Sequence, residues 1–172
     1  PDIVHKTEVG GVSLDVESTE SVRNSYNRLI ENVNQNRPAA DIDGVLISPM
    51  ANEGIELVVG VTVDEEVGPV MMFGLGGIYV EVLEDVTFRG LPLTPEDAHQ
   101  LVSGIEATEV LDGVRNCIEV NREALEELLL GVSELYERLP ELEEMDLNPI
   151  LANSNGCQIL DASIRVHDSD VN

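Results

Sequence analysis

Two carboxylates and one carboxamide near the end of this sequence have the types and spacing of a hard-cation site. In Asp146-Leu147-Asn148-Pro149 polar and apolar residues alternate, so on a strand Asp146 and Asn148 share a face. Asp161 follows the run Asn153-Ser154-Asn155-Gly156, which reads as the tip of a β-hairpin. A two-residue loop at Ser154-Asn155 sets Asn148 opposite Asp161, and a loop at Asn155-Gly156 sets Ile150 opposite it, still on that face. A three-residue loop would turn Asp161 to the other side. Two carboxylates and an amide oxygen suit Mg²⁺, which takes one or two carboxylates and leaves positions for water and phosphate oxygens. The competing reading is plain solvation, because Asp and Asn often decorate an exposed face in an acidic chain. The apolar neighbours Met145, Leu147, Ile150 and Leu151 argue that the acids lie within a strand.

The elements that must position these groups follow from periodicity and caps. Ser18 or Thr19 caps a helix to about Gln35, with Val22, Tyr26, Leu29, Ile30 and Val33 on one face. Gly44–Met50 and Ile55–Val63 are β-rich runs, and Ala51-Asn52-Glu53-Gly54 between them predicts a hairpin. Val70–Phe73 is a third short run, and Gly74-Leu75-Gly76-Gly77 leads into an extended stretch, Ile78–Phe88. Thr94-Pro95-Glu96-Asp97 starts a helix to about Glu106. Asn121 caps another, whose stripe is Leu125, Leu128, Leu129, Val132, Leu135 and Leu139. Leu142–Leu151 and Cys157–Val166 form the closing hairpin. The fold class expected is α+β, a sheet packed with helices.

Composition narrows the function. The 172 residues hold 34 acids against 9 bases, a formal net charge of −25, and Lys6 is the one lysine. Nucleic-acid and anionic-membrane partners are disfavoured, since both bind through Lys and Arg. No apolar run approaches the length of a membrane span. A folded protein this acidic reads as halophilic, because salt screens the self-repulsion. Cys117 and Cys157 make neither a disulfide framework nor a metal spacing, so a reducing cytoplasm is the expected location. Pro1 at the start reads as a processed piece or a fragment.

Several segments together resemble the ATP-grasp portion of the NDP-forming acyl-CoA synthetases, the family of ADP-forming acetyl-CoA synthetase and the succinyl-CoA synthetase β subunit. They are Pro1–Lys6 with Gly10-Gly11-Val12; Gly44–Met50 with Glu56 and Val58-Val59-Gly60-Val61; Gly68–Arg89; and Glu144–Ile150 with Leu160-Asp161-Ala162. The resemblance spans nearly all of 1–166, and the Gly68–Arg89 block is its most specific part.

The resemblance implies an ATP-grasp fold lacking its N-terminal part: 1–43 would end the N-terminal subdomain, 44–166 form the C-terminal subdomain, and 167–172 be a polar tail. It implies that Asp146, Asn148 and Asp161 hold the Mg²⁺ of ATP or ADP. It implies that His5 relays a phosphoryl group, with Lys6 and the amides of Gly10-Gly11 offering positive charge to phosphate. A neutral imidazole is a competent phosphoryl acceptor, and such transfer otherwise needs positioning and charge neutralisation. Ser48 and Met50 fall where the family's hinge meets adenine, although Pro49 removes one donor there. Glu56 matches an acid near the ribose or the metal edge. The reaction implied is acyl-CoA + ADP + phosphate giving carboxylic acid + CoA + ATP, through a phosphohistidine. Its partners would be CoA-binding and ligase-CoA domains, fused or separate, in an oligomeric enzyme. The alternative is a non-catalytic nucleotide- or acyl-CoA-binding regulatory module of a protein acetyltransferase or related multidomain protein.

Overall fold

A computed structural model describes residue 6 and residues 9–77, 85–114 and 118–167. His5, Cys117, the stretch 78–84 and the tail beyond His167 lie outside the described residues. The chain divides into two compact units, Pro1–Met50 and Ala51–Asn172.

Among the described residues of the first unit the regular element is α1, Thr19–Asn36. Its capping box is built from two serines: Ser18 Oγ accepts from the Ser21 amide at 3.1 Å, and Ser21 Oγ accepts from the Ser18 amide at 2.9 Å. Each satisfies an amide that the first turn leaves without a helical partner. Leu29 and Val33 are the buried residues of the helix. Gly44–Met50 is irregular, not the strand its composition predicts, and Leu46 and Ile47 are 90% and 77% exposed. The reason lies in pairing. The following strand, β1 (Ile55–Asp64), has both edges occupied by strands from later in the chain, so the predicted hairpin partner has no place beside it.

The second unit is a six-stranded antiparallel sheet with helices on one face. Its strands are β1, β2 (Gly68–Leu75), β3 (Val86–Gly90), β4 (Leu142–Asn153), β5 (Gly156–Ile159) and β6 (Ala162–Val166). The spatial order is β3-β2-β1-β4-β5, with β6 also on β4, so β1 and β4 are central. Asp64 turns the chain from β1 into β2. Its carboxylate accepts the amides of Glu66 and Val67 at 2.8 and 3.0 Å, which holds its pKa below the usual value.

Among the described residues two α-helices pack on the sheet. In α2 (Pro95–Ser103), Thr94 and Asp97 form the capping box; the Thr94 hydroxyl and amide together lower the Asp97 pKa. Asn121 Oδ1 accepts from the Ala124 amide at 3.1 Å and caps α3, Arg122–Arg138. The core is Leu57, Val59, Val61, Met71, Phe73, Met145, Leu147 and Ile150 from the sheet, against Ala98, Leu101, Val102, Leu125, Leu129 and Val132 from the helices. The predicted stripe of α3 holds at its N-terminal two-thirds; Leu135 and Leu139 are 39% exposed at its end. On β1 the residues alternating with this core, Glu56, Val58, Gly60 and Thr62, belong to the face turned away from the helices.

Candidate metal and nucleotide site

The closing hairpin turns through Ser154-Asn155, since Asn153 pairs with Gly156 and Ile150 with Ile159. Beyond Ile159 the regular ladder lapses, yet two backbone hydrogen bonds keep the count: Leu160 N–H donates to Pro149 O at 3.0 Å and Asn148 N–H donates to Asp161 O at 3.2 Å. The ladder then resumes in step as Leu147 pairs with Ala162, Asp146 with Ser163 and Met145 with Ile164. The single strand predicted for Cys157–Val166 is thus two, β5 and β6, with Asp161 at the join. Asn148-Pro149, a cis peptide, lies opposite that join, where the register of β4 against β1 shifts by one residue beside Val58.

Asp146, Asn148 and Asp161 therefore lie on the face turned away from α2 and α3, and all three are exposed. Directly opposite residues on antiparallel strands share a face, so Asn148 and Asp161 are neighbours, with Asp146 one pair along. Asp161 Oδ1 also accepts the Ala162 amide at 3.0 Å. Among the described residues no three His, Cys, Asp or Glu side chains form a metal cluster, so an ion here relies on the Asn148 amide as its third donor. Two carboxylates and an amide are hard oxygen donors and fit Mg²⁺. Ser163, opposite Asp146, adds a hydroxyl to this face that sequence reading did not single out, although the same hairpin count places it there. The nearest guanidinium along β6 is engaged: Arg165 pairs with Glu144 at 2.8 Å and Glu143 at 3.2 Å.

Glu56 stands on the same face of β1, paired with Leu151 of β4. The glycine run after β2 folds over it. Gly76 N–H donates to Glu56 O at 2.6 Å, and a Cβ on Gly76 would lie 2.9 Å from the Glu56 carbonyl carbon. Gly77 has φ +63 and lies against the Glu56 carboxylate. These glycines are needed for a close turn within the chain.

Lys6, Gly10, Gly11, Ser48 and Met50 belong to the first unit. Gly10, at φ +66, lets the chain turn so that Gly11 N–H donates to Lys6 O at 2.8 Å. Asn32 Nδ2 donates to Gly10 O at 3.1 Å and ties the turn to α1. The Gly11 amide is thereby engaged inside the turn. Ser48 and Met50 lie in the irregular segment and are exposed, Met50 by 57%.

A family profile described as an ATP-grasp domain matches residues 1–166. The β subunit of acetate–CoA ligase [ADP-forming] I from Pyrococcus furiosus is 41% identical over 162 residues, covering 94% of this chain and 70% of that one. Acetate–CoA ligase [ADP-forming] I from Archaeoglobus fulgidus is 42% identical, over 94% of this chain but 23% of its own length. The dinucleotide-forming acetyl-coenzyme A synthetase 1 of Candidatus Korarchaeum cryptofilum superposes with a TM-score of 0.91 at 40% identity in a complex with coenzyme A and Ca-AMPCP, covering 96% of this chain and 72% of that one. With coenzyme A and Mg-AMPPCP bound, and its phosphohistidine segment pointing towards the nucleotide site, it gives 0.82 at 36%, covering 97% and 73%. The chain belongs to the ATP-grasp family, in the branch of the ADP-forming acyl-CoA synthetases.

Proposed function

We propose that this chain is the nucleotide-binding ATP-grasp part of an ADP-forming acyl-CoA synthetase, working as acyl-CoA + ADP + phosphate = carboxylic acid + CoA + ATP. The observation that carries the reading is the hairpin register, which gathers Asp146, Asn148 and Asp161 on one face. Those three residues would hold Mg²⁺, which when bound neutralises phosphate charge and orients the phosphate oxygens. Lys6 adds a point charge for phosphate. Glu56 serves the ribose or the metal edge, and Ser48 and Met50 meet the base. His5, carried over from the family resemblance alone, relays the phosphoryl group from a phosphohistidine on a CoA-binding partner domain to ADP. Residues 1–43 would close the N-terminal subdomain and 44–166 form the C-terminal one. The partner domains are fused or form a separate subunit, in an oligomeric cytoplasmic enzyme.

The test uses the intact enzyme with its partner domains. Acyl-CoA and labelled phosphate should place label on histidine, and added ADP should remove it as ATP. His5→Ala should leave the first step and slow the second. Undiminished transfer to ADP would overturn the relay, and absence of any labelled histidine would overturn the enzyme reading.

The charge supports a halophilic setting. Glu123, Glu127, Glu134 and Glu137 are exposed along α3, within a chain of net charge −25. Screening shortens the reach of their repulsion from ~10 Å at about 0.1 M salt to ~3 Å at about 1 M. The thermal midpoint should therefore rise steadily with KCl across that range. A midpoint indifferent to salt would remove the halophilic reading.

A further inference from the structure

Gly60 sits in the middle of β1, paired with Met72 of β2 on one side and Asp146 of β4 on the other. Glycine weakens a strand interior, so its presence there has a cause. Conformation is not the cause, because Gly60 is absent from the positive-φ glycines, and the pairings on both sides of it are regular. Crowding is not the cause either. A Cβ on Gly60 would meet Met72 Cε at 3.4 Å, and Met72 Cβ and Met145 O at 3.8 Å, ordinary contacts that a flexible thioether accommodates. Gly74 and Gly76 differ: there a Cβ would come within 2.7 Å of Asp85 O and 2.9 Å of the Glu56 backbone. Asp85 and Glu56 explain those two glycines, and among the described residues none explains Gly60.

Glycine in a strand interior also marks a place where a ligand or another backbone comes close to the sheet. The missing side chain would stand on the face that carries Asp146, Asn148 and Asp161. Its Cα partner across the strand is Asp146 itself, at the about 4.5–5.5 Å of an antiparallel pair. An anion bridged to Asp146 by a cation would lie over this spot. We infer that Gly60 is the gap through which the metal-bound phosphate chain of the nucleotide lies flat against the sheet beside Asp146. Gly60 acts by leaving room, as a positioning residue. The inference rests on the proposed nucleotide role of that face.

The experiment is a size series, Gly60→Ala and Gly60→Val, in the intact enzyme, with Mg-ADP binding read by calorimetry and folding read by thermal melting. Alanine should leave the midpoint unchanged or raise it, while weakening Mg-ADP binding about tenfold, the scale of an overpacked contact. Valine should weaken binding by about a hundredfold or more on the same basis. Stability and affinity moving in opposite directions is a result that a purely structural glycine does not give. Unchanged affinity in the alanine variant, or in a folded valine variant, overturns the inference. If Asp161→Ala loses Mg-ADP while both Gly60 variants keep it, the inference fails and the nucleotide site stands. If the unsubstituted enzyme does not bind Mg-ADP, the nucleotide site itself fails.

Discussion

Asp161→Ala should abolish Mg²⁺-dependent ADP binding while leaving the protein folded. The backbone at this position is held from outside the side chain: Asp161 O accepts from Asn148 N–H, and Leu160 N–H donates to Pro149 O. Alanine keeps both bonds and loses the Oδ1 contact to the Ala162 amide, an exposed interaction of small net worth. The hairpin should therefore persist, with a melting midpoint close to that of the parent. Affinity should behave differently, because one of two carboxylates is removed and Mg²⁺ is left with Asp146 and a neutral amide. Removing one partner of a close charge pair costs about 2–5 kcal/mol, or roughly 30-fold to several thousandfold in affinity. Asp161→Asn should fall between, since the amide oxygen still ligates without the charge. The measurement is calorimetric titration of ADP with and without Mg²⁺. A variant retaining the full Mg²⁺ dependence would place the metal elsewhere.

That expectation was legible before any coordinates, and the reason is geometric. A two-residue turn makes register a counting problem, and the count from Ser154-Asn155 runs unbroken to Glu144 opposite Arg165. Caps were legible for a similar reason: Ser18, Thr94 and Asn121 act on amides three residues away, inside the window that sequence displays. Gly44–Met50 was misread because an apolar β-branched run has the same composition whether or not a neighbouring strand accepts it. Pairing is a property of the neighbour, and β1 had taken β2 and β4. The break at Leu160-Asp161 was also hidden, since it answers the shift at Asn148-Pro149 on another strand. Gly60 was visible only as part of the run Val58-Val59-Gly60-Val61; its meaning needed the atoms on either side.

Among 34 acids, Asp85 should be the one whose loss most damages the fold. Its composition gives no hint of this, since it follows Glu84 in an acidic stretch. The structure sets it apart: the residue is 9% exposed, and its two carboxylate oxygens accept the amides of Glu106 and Ala107 at 2.6 and 2.8 Å. Those amides belong to the turn that leaves α2, so the carboxylate clamps the entry of β3 to the far end of the helix. Thr87 reinforces the clamp two residues later, its hydroxyl 2.9 Å from Leu101 O. Hydrogen bonds to a charged group contribute about 1.5–3 kcal/mol each, and removing the acceptor strands two donors. Asp85→Ala should cost about 3 kcal/mol, a midpoint lowered by roughly 6–12 °C at this chain length. Asp85→Asn should recover part of that, because the amide oxygen replaces one acceptor while its NH₂ opposes the second donor. High salt distinguishes this carboxylate from the exposed acids of α3. Charge changes at Glu123, Glu127 or Glu137 should fade as salt screens them, whereas a short buried bond is screened little. Denaturant melts of Asp85→Ala and Glu127→Gln at about 0.1 M and about 2 M KCl test both halves of the argument. An Asp85→Ala loss that vanished at high salt, or stayed under about 1 kcal/mol throughout, would make Asp85 one more surface acid.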